Sequence, residues 1–200
     1  MMKRLTLWQL VFLGCILCSL ICGLMYCCCP PRHPPERDFE IEELLLDVSA
    51  FPVGWSADAE GPRAPAKAPL GGLKSIERTE LFFYVRGGGA VEEIHRFQST
   101  GDAIQEFERQ LGIAFFVGKY DTPWIIPLAL PYQSPIADQF HFACSEQGSI
   151  SMCRMIGRYE EYLVKFNTHM SPDFMTYEDL ECVLQAIDER MAQYLGKGAE

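Results

Sequence analysis

Three adjacent cysteines and a nearby histidine form the first group of side chains that could bind a metal, namely Cys27, Cys28, Cys29 and His33. Zinc sites usually space their cysteines two to four residues apart, so that the thiolates reach the corners of a tetrahedron. Adjacent cysteines on a helix point in different directions. Because the triplet closes an apolar run, we interpret it as part of that run, in which cysteine is a small apolar filler. Reversible acylation and interchain disulfides stay open as alternatives.

The other histidines, His95, His141 and His169, stand alone in the sequence. None belongs to an H-x-x-x-H or H-E-x-x-H pattern, and the chain has no nucleophile elbow, phosphate-binding loop or haem-attachment motif. The adjacent carboxylates at 92–93 and 160–161 fall on strands, where neighbours face opposite ways, and we expect both pairs to be solvated. We therefore predict no catalytic residue, no cofactor, no metal and no enzymatic activity. A membrane-anchored hydrolase with an unrecognised grouping of His, Asp and Cys is the alternative.

Cys144 and Cys153 have the spacing of a disulfide that joins two strands of a hairpin. If Gly148 and Ser149 form a two-residue turn, the strands pair outward from it until the two cysteines meet. That pair falls on a rung without hydrogen bonds, where Cα atoms lie about 4.5 Å apart, within the reach of a disulfide. We predict the bond, with two buried free thiols as the alternative. The remaining cysteine of this region, Cys182, is expected to pack inside.

The N-terminal stretch from Leu5 to Cys29 carries no formal charge and follows Lys3 and Arg4. A helix of about 24 residues reaches about 36 Å, which exceeds a hydrocarbon core of about 30 Å. We predict that residues 1–29 form a signal anchor, a transmembrane helix that keeps the N-terminus in the cytoplasm. A lipoprotein signal and an ordinary cleaved signal peptide are the alternatives.

Beyond the anchor, residues 30–38 read as a proline-rich spacer and residues 39–200 as one extracytoplasmic α+β domain. All 27 acidic residues lie from Glu36 onward, whereas three of the 17 basic residues precede it, which leaves 14 basic residues and a net charge of about −13. Such a field repels phosphate backbones, so we exclude nucleic acid as a partner. The predicted partners are the lipid bilayer, through the N-terminal helix, and a protein at the cell membrane.

Residue patterns in the domain predict an antiparallel sheet packed with two main helices. The expected elements are a hairpin at 76–97 around Gly87–Gly89, a helix from Asp102, strands at Ala137–Cys144, Ile150–Ile156 and Tyr159–Thr168, and a helix that begins after Ser171–Pro172 or at Thr176. The last helix has the clearest apolar stripe, formed by Leu180, Val183, Leu184, Ile187, Met191 and Leu195. The first helix has a stripe of Ile104, Phe107, Leu111 and Phe115.

The segment Phe51-Pro52-Val53-Gly54-Trp55, together with this order of elements, resembles the PsbP/Mog1-like α-β-α sandwich. Members of that group are mostly accessory or binding proteins. The resemblance implies a non-catalytic adaptor, although a fold alone does not define a function.

Three segments combine large apolar side chains with turn residues and are the candidate binding surface. The Trp124–Tyr132 loop is unusually apolar for a connection, and its prolines prevent regular pairing, so its side chains either cap the core or offer a surface to a partner. The 169–176 segment joins a strand to a helix, where binding groups are often placed. The residues that we select from the three segments are Trp55, Trp124, Ile125, Ile126, Tyr132, His169 and Asp173.

Overall fold

The computed structural model describes residues 34–64, 72, 75–116, 122–147 and 150–196. Within these ranges, residues from Pro34 onward form one compact α+β unit. Its elements are two 3-10 helices at Ile41–Leu44 and Val48–Ala50, strands β1 (Ser56–Ala57), β2 (Glu77–Val85) and β3 (Gly88–Arg96), helix α1 (Thr100–Ala114), strands β4 (Gln139–Gln147), β5 (Ile150–Tyr159) and β6 (Tyr162–Met170), and helix α2 (Tyr177–Leu195).

The strands form a single antiparallel sheet in the order β1-β2-β3-β6-β5-β4. Helix α2 and the two 3-10 helices cover one face of the sheet, where the main hydrophobic core includes Phe83, Ile94 and Phe166. Helix α1 covers part of the other face through a smaller cluster that includes Phe107 and Leu163. The domain therefore has three layers, with the sheet in the middle.

The predicted fold class, which placed a transmembrane helix before the sheet and its two helices, is wrong. The described part of the chain contains no helix that is both long and apolar enough to cross a membrane. Residues 1–29, on which that expectation was based, lie outside the described residues, as does His33. Two 3-10 helices precede the sheet.

The β4–β5 hairpin has the predicted register. Gln147 pairs with Ile150, and three pairs further along the hairpin Cys144 pairs with Cys153. The predicted disulfide is present there, at a Cα–Cα distance of 4.0 Å. On the outer edge of β4, the amide and carbonyl of Cys144 bond to Ile125 at 2.8 and 2.9 Å. Its backbone therefore faces away from β5, which confirms the rung without hydrogen bonds.

The apolar stripe of α2 is confirmed, since all six of its residues are buried. Thr176 caps the helix, and its hydroxyl accepts a hydrogen bond from the amide of Asp179. The apolar stripe predicted for α1 is only partly confirmed, because Phe107 is buried but Ile104 is 39% exposed. Cys182 is exposed on α2, so the expectation that it packs inside is wrong.

Residues 34–38 are held at one end of the sheet by charged side chains. Arg37 donates two hydrogen bonds to the carboxylate of Glu161, at 3.0 and 2.9 Å, and Glu161 is 1% exposed. Arg96 lies 3.6 Å from the same carboxylate and donates to the carbonyl of Pro35. Glu161 is thus a buried, paired carboxylate, and the expectation that 160–161 is simply solvated is wrong for it.

Glu92 is also buried, at 1% exposure, under the segment that joins the 3-10 helices. Its Oε2 accepts a hydrogen bond of 2.8 Å from the amide of Leu46, and its Oε1 has no partner in the described part of the chain. Burial raises the pKa of Glu92 to about 8, although the Leu46 amide and the charge of Arg190 oppose the shift. Glu92 is therefore neutral over most of the physiological range.

The disulfide closes a short loop, so its removal should destabilise the domain by a limited amount. We expect the Cys144→Ala/Cys153→Ala variant to lose about 2–3 kcal/mol of unfolding free energy. Urea denaturation measures this loss. Cys182→Ser is the matched control and should unfold as the wild type does. An unchanged urea midpoint for the double variant would contradict a stabilising role of the disulfide.

Glu92 should make the stability depend on pH. The unfolded state ionises near the ordinary value of 4.5 and the folded state near 8, so the folded state holds one extra proton between these values and stability falls as the pH rises through this window. Glu92→Gln keeps a carbonyl acceptor for Leu46 but cannot ionise. We expect it to be more stable than the wild type at pH 8.5 by about 2–4 kcal/mol and similar to it at pH 4.5.

Urea midpoints at several pH values test this prediction, with the exposed Glu42→Gln as the control. If the wild type and Glu92→Gln show the same pH slope, Glu92 is not the group responsible.

Candidate functional site

One row of paired residues crosses the whole sheet and provides a reference level for the site. The row consists of Ala57, Phe83, Ala90, Thr168, Cys153, Cys144 and Ile125. On one side of the row lie the loop at 52–54, the turn at 86–87 and the segment 171–176, which we call the distal end. On the other side lie the Tyr159–Tyr162 turn and residues 34–38, which we call the proximal end. Along β5 the row and this turn are about 20 Å apart, since a strand rises about 3.3 Å per residue.

Phe174 joins the three loops of the distal end. The indole of Trp55 packs edge-on against the Phe174 ring at 6.2 Å, and its Nε1 donates a hydrogen bond of 2.9 Å to the Phe174 carbonyl. The ring also lies so close to Gly88 that a Cβ there would come within 2.5 Å of it. Gly88 is therefore required for this packing, and the distal loops form one connected structure.

The Trp124–Tyr132 loop divides into buried and exposed parts. Trp124 lies under the guanidinium of Arg154, 4.5 Å from its ring centre, and packs edge-on against Phe115. Tyr132 donates a hydrogen bond of 2.6 Å to Asp188, a buried carboxylate that also accepts from Ser134 and Tyr159. The exposed apolar side chains are Ile125, Ile126 and Leu128 at 61%, 58% and 100%. The loop thus caps the core and also presents an apolar ridge.

On the α2 face, a cleft of about 250 Å³ opens at the distal end. We call it the distal cleft. Its lining residues are Ser151, Met170, Ser171, Pro172, Met175, Thr176 and Tyr177. Met175 is fully buried and forms the floor, and its backbone pairs with Ser171 in an isolated bridge. Thr176 is the cap of α2, so the helix begins at the wall of the cleft.

On the opposite face, a shallow hollow of about 250 Å³ lies above the uncovered part of the sheet. Its lining includes Tyr84, Val91, Met152, Asn167 and His169. His169 and Asn167 contribute to the lining, but the surface of the hollow is almost wholly apolar. This arrangement can accept an apolar group but offers no paired acid and base.

The structure brings most of the predicted surface residues to the distal half of the domain. Ile125 and Ile126 are exposed beside the reference row, His169 lines the hollow, and Asp173 is exposed next to the distal cleft. Trp55 is buried, Trp124 is half-buried and Tyr132 faces Asp188, so these three pack against the body of the domain. That the surface binds a partner stays a prediction.

The histidines show where acid–base chemistry would be found. His141 packs edge-on against Phe115 at 4.4 Å, and burial lowers the pKa of His141. His95 lies 3.2 Å from the carboxylate of Glu93, which also binds Lys165 at 2.5 Å. Although burial opposes it, these partners lower the pKa of Glu93 to about 2, so the cluster is a fixed ion network. Sequence reasoning missed it, although the spacing of Glu93 and His95 places both on one face of a strand.

Within the described ranges, no three or more His, Cys, Asp or Glu side chains are grouped so that they could hold a metal ion. The distal cleft and the hollow both contain serine, threonine or histidine groups, but the described carboxylates do not hydrogen-bond to His141 or His169. The geometry therefore offers surfaces and clefts for binding at the distal end.

No family model matches the chain, and no curated protein matches it. Among solved structures, the chain is similar to the extracellular domain of PknH from Mycobacterium tuberculosis, with a TM-score of 0.54 and 11% identity over 80% of this chain and 98% of that chain. At this identity the likeness shows the fold alone. The resemblance to PsbP/Mog1-like sandwiches is not tested by these comparisons and stays a prediction.

Proposed function

We propose that the chain is an extracytoplasmic, non-catalytic binding domain that is anchored to the membrane through the segment before Pro34 and binds a partner protein with its distal end. An accessory subunit of a membrane complex and a ligand-binding module are both forms of this function. The observation that carries the proposal is the position of the exposed apolar groups. Val53 projects from the distal end, and Ile125, Ile126 and Leu128 line the outer edge of β4 from the reference row onward, away from the point where residues 34–38 are fixed.

Three further observations support an extracytoplasmic location. The disulfide between Cys144 and Cys153 is of a kind that persists in oxidising compartments. The similar solved structure is itself an extracellular domain. The uncharged stretch from Leu5 to Cys29 supplies apolar chain for an anchor, and the domain begins directly after it.

The exposed apolar side chains favour a protein partner. Ile125, Ile126 and Leu128 form a ridge beside β4, and Val53, with an exposure of 106%, projects from the loop at 52–54. Exposed apolar groups that cluster mark interaction surfaces more often than single ones do.

Site-specific photo-crosslinking in the native membrane tests the proposal. A photoreactive residue at Val53 or at Ile126 should give the same discrete adduct, because a partner that covers the distal end and the adjoining edge of β4 contacts both positions. Gln185 is exposed on α2 away from that end and serves as the control position.

We further expect that Ile125→Asp abolishes the adduct formed from Val53, since a charge in the ridge opposes burial against a partner. Equal crosslinking from Gln185, or an adduct that survives Ile125→Asp, would contradict binding at the distal end.

A further inference from the structure

The distal cleft combines an apolar floor with an acidic rim. Met170 and Met175 provide the floor, and methionine adapts its shape to a bound aliphatic group. Tyr177 adds an aromatic wall, which can also contact a cation. A cavity of about 250 Å³ accommodates one or two side chains of a partner. This floor is therefore suited to a short apolar group.

Three carboxylates belong to residues that adjoin the cleft lining in the sequence or across the hairpin. Glu146 pairs with Ser151 across the hairpin, so its side chain leaves the sheet on the same face as the cleft. Asp173 follows Pro172 in the lining, and Glu178 follows Tyr177 in the first turn of α2. All three are exposed, and none makes an ion pair within the described part of the chain. Their charges are available to a ligand.

Not all of the carboxylates at the rim are needed to offset the positive end of the α2 dipole. The N-terminus of α2 carries a partial positive charge, equivalent to about half an elementary charge. Asp179, which closes the capping box with Thr176, already lies against that terminus. Glu178, Asp173 and Glu146 therefore leave a net negative field at the opening, which attracts cations.

We propose that the distal cleft binds a basic segment of the partner protein, which places one aliphatic side chain in the cleft and lysine or arginine side chains at its rim. This inference rests on the proposed function, because it names the chemistry of the partner at the distal end. It also follows from the overall charge, since a domain of about −13 in net charge is matched by a basic partner.

Other occupants fit the cleft less well. A second copy of the chain would bring two acidic rims together, and like charges across an interface oppose association. A nucleic acid would meet the same repulsion between carboxylates and phosphates. A basic protein segment satisfies both the apolar floor and the acidic rim.

The test uses the full chain in nanodiscs of zwitterionic lipid and a short fluorescent peptide in which leucine and lysine alternate, with empty nanodiscs as the blank. Fluorescence anisotropy measures binding. We expect saturable binding that weakens as salt is raised, because the rim is solvent-exposed and its charges are screened. Peptides that alternate leucine with glutamate, or serine with lysine, should bind at least tenfold more weakly.

Charge reversal locates the site. We expect Asp173→Lys/Glu178→Lys to weaken binding of the leucine–lysine peptide about tenfold or more. The matched control Glu42→Lys/Glu189→Lys makes the same change in net charge at exposed positions away from the cleft and should bind nearly as the wild type does.

Equal weakening by both double variants, or equal binding of the serine–lysine peptide, would overturn the proposal. If crosslinking from Val53 succeeds but the leucine–lysine peptide does not bind, the domain binds a partner without a basic segment in the cleft. If the peptide binds at the cleft and crosslinking fails, the proposed function is contradicted, while the cleft is still shown to bind a basic segment.

Discussion

The register of the Cys144–Cys153 rung is the constraint on which the arrangement of the site depends. It lies in the row that runs from Ala57 across the sheet to Ile125. Because side chains alternate along a strand, a slip of one residue would turn every side chain of β4 to the other face. The covalent bond excludes that slip, and hydrogen bonds to Ile125 then attach the apolar loop to the same row. The apolar ridge, the distal cleft and the hollow therefore keep fixed positions.

The opposite end of the sheet is fixed by charge. Glu161 is buried, and removing either guanidinium that faces it would leave a carboxylate poorly compensated, which is costly in a protein interior. Arg37 therefore holds the beginning of the domain at the proximal end. Further along the chain, Glu92 of β3 accepts a hydrogen bond from the amide of Leu46 while its own carboxyl group stays protonated. The beginning of the domain, from Pro34 to Leu46, is thus packed along the sheet from the proximal end towards the distal end.

Local patterns predicted those parts of the fold that depend on local geometry. The two-residue turn predicted at 148–149 gives the register by counting, and the period of 3.6 residues identifies α2. The buried carboxylates could not be predicted, because the partner of Glu92 is 46 residues away and that of Glu161 is 124 residues away. The same limit applies to the site. The surface segments were recognisable, but the placement of segments 52–54 and 171–176 at the same end requires β3 to lie beside β6, which no local pattern indicates.

We propose that this acidic domain works on the oxidising side of a membrane. Cys182 offers a direct measurement because it is the free, exposed cysteine of the described residues. Intact cells that express the chain are treated with a membrane-impermeant maleimide, and Cys182→Ser gives the background from other cysteines. The account predicts labelling of Cys182 in intact cells to the same extent as after permeabilisation. Labelling that occurs only after permeabilisation would place the domain inside and contradict the account.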